Sequence, residues 1–265
     1  MARQPTFYVS HGGGPAFWID YPPPIGPGGF DRLKAFFEGF PSLLPEPPRA
    51  YLVASAHWEE SVVTVSDAEA PGMLYDYYGF PEIAYTLQHP APGAPEIARQ
   101  VHDLLKGADI KSAYDSDRGF DHGVFVPMKI IDPEAKTPTV MMSLRKGLDP
   151  AFHLDVGKAL APLRDEGVII IGSGSSFHDL RTYFDGQAGK AKAFDDWLVE
   201  TALEPKTRDA RLVDWTRAPA ARDAHPREEH LLPLMVAAGA AEGEPALQVY
   251  KDVVANKPFS GFQFG

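Results

Sequence analysis

Ala50-Tyr51-Leu52-Val53-Ala54-Ser55-Ala56-His57-Trp58-Glu59 is an unbroken apolar run that turns polar just past an imidazole. Apolar residues without alternation are what a strand buried on both faces requires, and such strands belong to sheets covered by helices on each side. The same pattern recurs along the chain. Thr6-Phe7-Tyr8-Val9 runs into Ser10-His11-Gly12-Gly13-Gly14-Pro15, and Val168-Ile169-Ile170-Ile171 runs into Gly172-Ser173-Gly174. Residues 139–144 read as another buried strand, 62–65 as a further one and 246–250 as a late one. Helical spacing lies between them, at 31–37 (stopped by the prolines from 41 to 48), 95–105, 153–163, 194–203 and 229–241. In the second of these, Pro95 occupies the first turn and Ile97, Val101, Leu104 and Leu105 share one face. Strands alternating with helices predict an α/β fold, one domain over 1–265 with a largely parallel or mixed central sheet flanked by helices.

In such sheets ligands bind beyond the carboxyl ends of the strands. His11, His57 and His178 each follow an apolar strand by one to seven residues. With His122 in Asp121-His122-Gly123 and His230 in Glu228-Glu229-His230-Leu231, five of the nine histidines stand where buried segments give way to turns. Neutral imidazole is the commonest ligand of zinc, copper, iron and nickel, so this placement predicts convergence on one ion. Acidic residues in a helix's first turn are expected from the helix dipole alone. The same positive end would keep His230 neutral, as a divalent ion requires. A carboxylate beside His122 suits general acid/base work, although neighbours in an extended chain point opposite ways. His102 within a helix beside Asp103, His153 at a helix start and His89 read as structural, and His225 before Pro226 as a cap or a pocket residue. The Gly172-Ser173-Gly174 turn lacks the third glycine of a dinucleotide fingerprint and does not make a Gly-x-Ser-x-Gly elbow, so it reads as a wide turn that delivers His178.

Composition narrows the chemistry. There are no cysteines, so thiolate zinc sites, iron–sulfur clusters and a cysteine nucleophile are excluded, and a metal must be held by imidazole and carboxylate. That favours zinc or non-haem iron. A formal charge of -11 with no Lys/Arg cluster argues against nucleic acid and anionic membranes and for a small substrate. No apolar run approaches the roughly 20 residues of a membrane span, and the first residues lack a secretory signal, so a cytoplasmic protein is expected.

Taken in order, the motifs resemble the class III extradiol ring-cleavage dioxygenases, in particular their DOPA 4,5-dioxygenase branch. They are Ser10-His11-Gly12, Ser55-Ala56-His57-Trp58, Tyr78-Gly79-Phe80-Pro81, Pro90-Ala91-Pro92-Gly93, Asp121-His122-Gly123-Val124-Phe125-Val126-Pro127, Gly172-Ser173-Gly174 through His178, His225-Pro226 through Glu229-His230-Leu231-Leu232-Pro233-Leu234, and Phe262-Gln263-Phe264-Gly265. The resemblance implies Fe(II) as cofactor, with Zn(II) possible in the same site, and O2-dependent cleavage of a catechol ring to a muconic semialdehyde. It makes His11, His57 and, from the Glu229-His230 pair, His230 the metal ligands. It gives His178 the acid/base role, with ligation as a fourth metal ligand when zinc is bound, and makes His122 a second pocket histidine that hydrogen-bonds substrate. Gly12-Gly13-Gly14 and His89 depart from the usual pattern near the pocket entrance and leave the identity of the catechol open. Two alternatives stand beside this reading: a zinc hydrolase in which Glu229 or Glu59 activates water, and a binding protein without catalysis.

Overall fold

The computed structural model describes residues 2–183, 185 and 188–265. Eight strands form one sheet: β1 (Thr6–Ser10), β2 (Ala50–Glu60), β3 (Val63–Ser66), β4 (Ser112–Asp115), β5 (Thr139–Arg145), β6 (Val168–Gly174), β7 (Ala246–Val254) and β8 (Lys257–Phe264). The helices are α1 (Asp31–Gly39), α2 (Pro95–Gly107), α3 (His122–Ile131), α4 (Pro150–Leu160), α5 (Leu180–Tyr183), α6 (Ala191–Leu203), α7 (Arg208–Val213), α8 (Ala221–Ala224) and α9 (Leu232–Ala240). The strand order is β4-β3-β5-β2-β6-β1-β8-β7. The four central strands run parallel, whereas the β7–β8 hairpin adds antiparallel to β1, and β3 pairs antiparallel with β5. This is the mixed, helix-covered sheet expected from the apolar runs.

Successive residues of each central strand face opposite sides. Leu52, Val140 and Ile170 pack against Ile97 and Val101 of α2, Val156 of α4 and Val236 of α9. Tyr51, Val53, Met141 and Ile171 belong to the other layer, with Leu33 and Phe37 of α1, Val124 and Phe125 of α3 and Phe194 of α6. Every residue of α9 is buried, which explains its lack of any polar stripe. No helix among the described residues is long and apolar enough to cross a membrane.

Three expectations are corrected. His57 lies inside β2 rather than beyond it, and the strand's register with β5 slips between Ser55 and Glu59. Such a bulge re-aims side chains, which takes His57 out of the simple two-sided alternation. The helix expected from 229 begins at Leu232, with Pro233 in its first turn, so His230 lies in the preceding turn rather than on the helix. The apolar residues after His122 form a helix, α3, although it contains Pro127. Strands β4 and β8 had not been anticipated. β4 is short and only half-buried, and β8 carries Pro258 and Gly261, both poor strand signals.

His153 is structural, as expected. Its Nε2 accepts from the Arg145 N–H at 3.1 Å, so its Nδ1–H donates to the Asp149 carbonyl at 2.7 Å. Burial lowers its pKa to about 4. The unfolded chain, with a value near 6.5, therefore takes up a proton that the fold refuses, and stability is lost as pH falls from about 6.5 towards 4. Urea unfolding across that window should show a loss of about 3 kcal/mol from this residue, and His153→Gln should flatten the profile. Equal slopes in variant and wild type would refute the assignment.

Candidate metal centre

The carboxyl ends of β1, β2 and β6, the start of α3 and the turn before α9 meet at one point. There His57 Nε2 lies 3.0 Å from His11 Nε2 and 3.2 Å from His230 Nε2. The opposite ring nitrogens decide what those contacts are. Ser173 Oγ donates its one proton to the Gly123 carbonyl at 2.5 Å, so at 3.0 Å from His11 Nδ1 it must accept. His230 Nδ1 faces Glu229 Oε1 at 3.0 Å, and His57 Nδ1 faces Asp76 Oδ2 at 3.5 Å. With each Nδ1 carrying the proton toward its acceptor, the Nε2 lone pairs of His11 and His230 are both left facing that of His57.

Lone pairs in that arrangement repel unless a cation lies among them. Nitrogens about 2.1 Å from a divalent ion are about 3.0 Å apart at a right angle and about 3.4 Å apart at a tetrahedral angle. The two observed separations fall in that range, so these imidazoles fit a metal site; the sets His11, His57 and His122 and His178, Glu229 and His230 also bring their ligand atoms within 4.8 Å of one another. Burial first, and the neighbouring imidazoles second, hold His11, His57 and His230 well below the ordinary imidazole pKa, so the rings are neutral. The carboxylates behind them are ionised. Burial alone would raise Asp76 and Glu229, but hydrogen bonds from His122 and His178 respectively, with the nearby imidazoles, bring both below their usual values. Orienting partners of this kind fix the tautomer and raise ligand basicity.

Backbone contacts hold His230 in place. Its carbonyl accepts from Tyr8 Oη at 2.9 Å and from the Ser175 N–H at 3.0 Å. A β-carbon on Gly174 would run into that same carbonyl, and one on Gly172 into the Pro233 carbonyl. These glycines admit the α9 turn against β6. Gly174→Ala should therefore push His230 away. We expect a stability loss of about 1–3 kcal/mol together with weakened metal binding, measured by denaturation and metal titration. An unperturbed metal affinity would show that the turn does not position His230.

His178 and His122 flank this centre. The His178 ring stacks on His230 with centroids 3.3 Å apart, and its Nδ1 lies 3.1 Å from the same Glu229 Oε1. His122 Nδ1 lies 2.7 Å from Asp76 Oδ1, and its ring centroid is 3.9 Å from that of His57. All five histidines singled out in the sequence line one cavity of about 270 Å³. Its other walls are largely apolar, including Phe30, Leu33, Phe80, Phe177, Val254 and Phe259.

Comparison with known proteins identifies the family. Residues 30–264 match the family described as the catalytic LigB subunit of aromatic ring-opening dioxygenase. The chain belongs to the LigB family. It is an extradiol ring-cleaving dioxygenase of this metal-dependent group. It is 39% identical to a 4,5-DOPA dioxygenase extradiol of Portulaca grandiflora, over 93% of this chain and 90% of that one. It is 42% identical to the protein of the same description from Beta vulgaris, over 89% and 86%. A crystal structure of an uncharacterized Escherichia coli K12 protein superposes with a TM-score of 0.80 at 28% identity, covering 99% of this chain and all of the other.

Within this LigB enzyme several readings change. Asp121 does not orient His122; it is buried, accepts from Ser55 Oγ at 2.7 Å and lies 3.4 Å from Arg118, and burial raises its pKa. The orienting carboxylate is Asp76, remote in sequence and flanked by tyrosines, which offered no motif. Ser173, the partner of His11, was quoted only as part of a glycine turn. His225 is buried against the Ser176 carbonyl at 3.1 Å and does not line the cavity. His102 bonds Ser112 and His89 is buried. Glu59, a candidate for activating water, is held by both guanidinium nitrogens of Arg227 at 2.5 and 2.6 Å. With Glu229 bonded to two imidazoles, nothing here favours the hydrolase.

Proposed function

We propose that His11, His57 and His230 hold Fe(II) through their Nε2 atoms, and that the protein cleaves a catechol-type ring with O2 to a muconic semialdehyde, as a DOPA 4,5-dioxygenase-like enzyme. The observation that carries this reading is His57 Nε2 facing the Nε2 atoms of His11 and His230 at 3.0 and 3.2 Å, with each Nδ1 committed elsewhere. A ferrous ion with protein ligands on one face would supply open positions for both catechol oxygens and O2, and would acidify the hydroxyls. Zn(II) fits the same donors but lacks redox chemistry.

The protein's own groups handle protons and position. Because His178 Nδ1–H donates to Glu229, its Nε2 is the free acceptor, and we assign it to take a hydroxyl proton from the catechol. The protonated ring then has Glu229 behind it as counter-charge and returns the proton when the ring opens. His122, held by Asp76 in the same manner, presents Nε2 to a substrate oxygen. Ligation by His178 when zinc is bound remains part of the proposal, since its ring lies against His230. The apolar walls exclude water from the ring. Both atoms of O2 end in the product, so no external reductant is consumed. The test is anaerobic reconstitution with Fe(II) followed by a catechol panel, with O2 uptake and product absorbance as readouts. Absence of O2 uptake with every catechol, in protein shown to bind Fe(II), would overturn the reading.

A further inference from the structure

Most of the curated relatives carry the name of a zwitterionic amino acid. We infer that its substrate is a catechol with a short, uncharged apolar substituent, an inference that rests on the ring-cleavage reading above.

Three observations lead there. First, none of the described cavity-lining residues is a lysine or arginine, so a substituent carboxylate meets no cation. Nearby cations have acidic partners, Arg118 with Asp121 and Arg227 with Glu59 among them. Lys257 pairs with Asp185 at 2.8 Å and lines a separate cavity behind Phe177. Arg181 pairs with Asp179 at 3.1 Å, and Arg32 lies 3.8 Å from Asp252. Second, none of the described cavity-lining residues is an aspartate or glutamate either: Asp76 and Glu229 lie behind the imidazoles, so a substituent ammonium meets no carboxylate. A charged substituent would lose its water and gain no charged partner from the walls. Third, the walls are aromatic edges and faces. Tyr21 packs edge-on to Phe30 and Phe80, with centroids 5.4 and 6.1 Å away, and Phe177 and Phe259 also meet edge to face, at 6.4 Å. The Tyr21 hydroxyl is occupied by the Gly13 carbonyl and turns no donor inward.

Size limits the substituent. A cavity of about 150 Å³ takes a benzene ring, and each further small group needs about 30 Å³. The 270 Å³ available therefore leaves room for the two hydroxyls and a substituent of about two carbons.

The experiment compares four catechols on the Fe(II)-loaded protein that share a two-carbon chain on the ring and differ in the charged groups it carries: 4-ethylcatechol, 3-(3,4-dihydroxyphenyl)propanoate, dopamine and L-DOPA. We expect kcat/KM for 4-ethylcatechol to exceed that for each charged compound at least tenfold, chiefly through KM. Anaerobic equilibrium titration of the same four into the Zn(II)-loaded protein should give the same order of affinity. L-DOPA or the propanoate equalling or exceeding 4-ethylcatechol in both measurements would overturn the inference. If 4-ethylcatechol binds at least tenfold tighter but none of the four is cleaved, the preference stands and the ring-cleavage reading falls. If none binds, both fall.

Discussion

His57→Ala is expected to abolish metal binding at concentrations that saturate the wild type. His57 Nε2 is within 3.2 Å of both of its partners, so its removal takes away the donor that joins His11 to His230. Losing an orienting partner outside the ligand shell costs about 10–100-fold in affinity, so losing a ligand should cost more, on the order of a thousandfold. The consequence can be read without turnover. A metal at a thousand times its Kd stabilises the fold by about 4 kcal/mol, and the same concentration acting on a thousandfold weaker site contributes less than about 0.5 kcal/mol. Urea unfolding with and without metal should show that collapse. The metal-free variant should lose far less than a buried-side-chain deletion of this size ordinarily costs, because the deletion also relieves lone-pair repulsion. A variant that keeps the full metal-dependent stabilisation would remove His57 from the ligand set.

The parts of this protein that were legible in its sequence are those set by local pattern. Buried strands announce themselves by continuous apolar runs, and 50–55 and 168–171 behave as read. The five histidines could be selected because in the sequence each stands beside an apolar run and small or polar residues, although His57 lies within β2 itself. What the sequence did not reveal depends on contacts between distant segments. Asp76 serves both His57 and His122, but nothing at 75–78 distinguishes it from a surface acid. Proximity misled at Asp121, whose side chain turns to Ser55 across the sheet. The position of His57 within β2 needed the bulge, and a bulge is a property of two strands' registers rather than of one strand's composition. The separation of metal-facing from proton-handling histidines was available only by family resemblance. Geometry adds a reason: which ring nitrogen is free depends on the acceptor behind the other one.

His178→Ala should behave differently from His57→Ala. His178 stacks on His230 but reaches the centre through Glu229, and Glu229 keeps its contact with His230 Nδ1 after the imidazole is gone. Metal affinity should therefore stay within about tenfold of wild type, the range for loss of a neighbouring rather than a ligating group. Turnover should fall about 10²- to 10⁴-fold, the usual contribution of a positioned acid/base group. Two further readouts separate proton transfer from loss of packing. The residual rate of the alanine variant should rise with pH, since solvent base must now take the catechol proton. The loss should also appear in kcat more than in KM, because His178 lines the cavity but its proposed work is in the reaction itself. Metal loss equal to that of His57→Ala would make His178 a fourth ligand, and the proton-accepting role would then pass to His122, whose Nε2 is left free by the Asp76 contact in the same way.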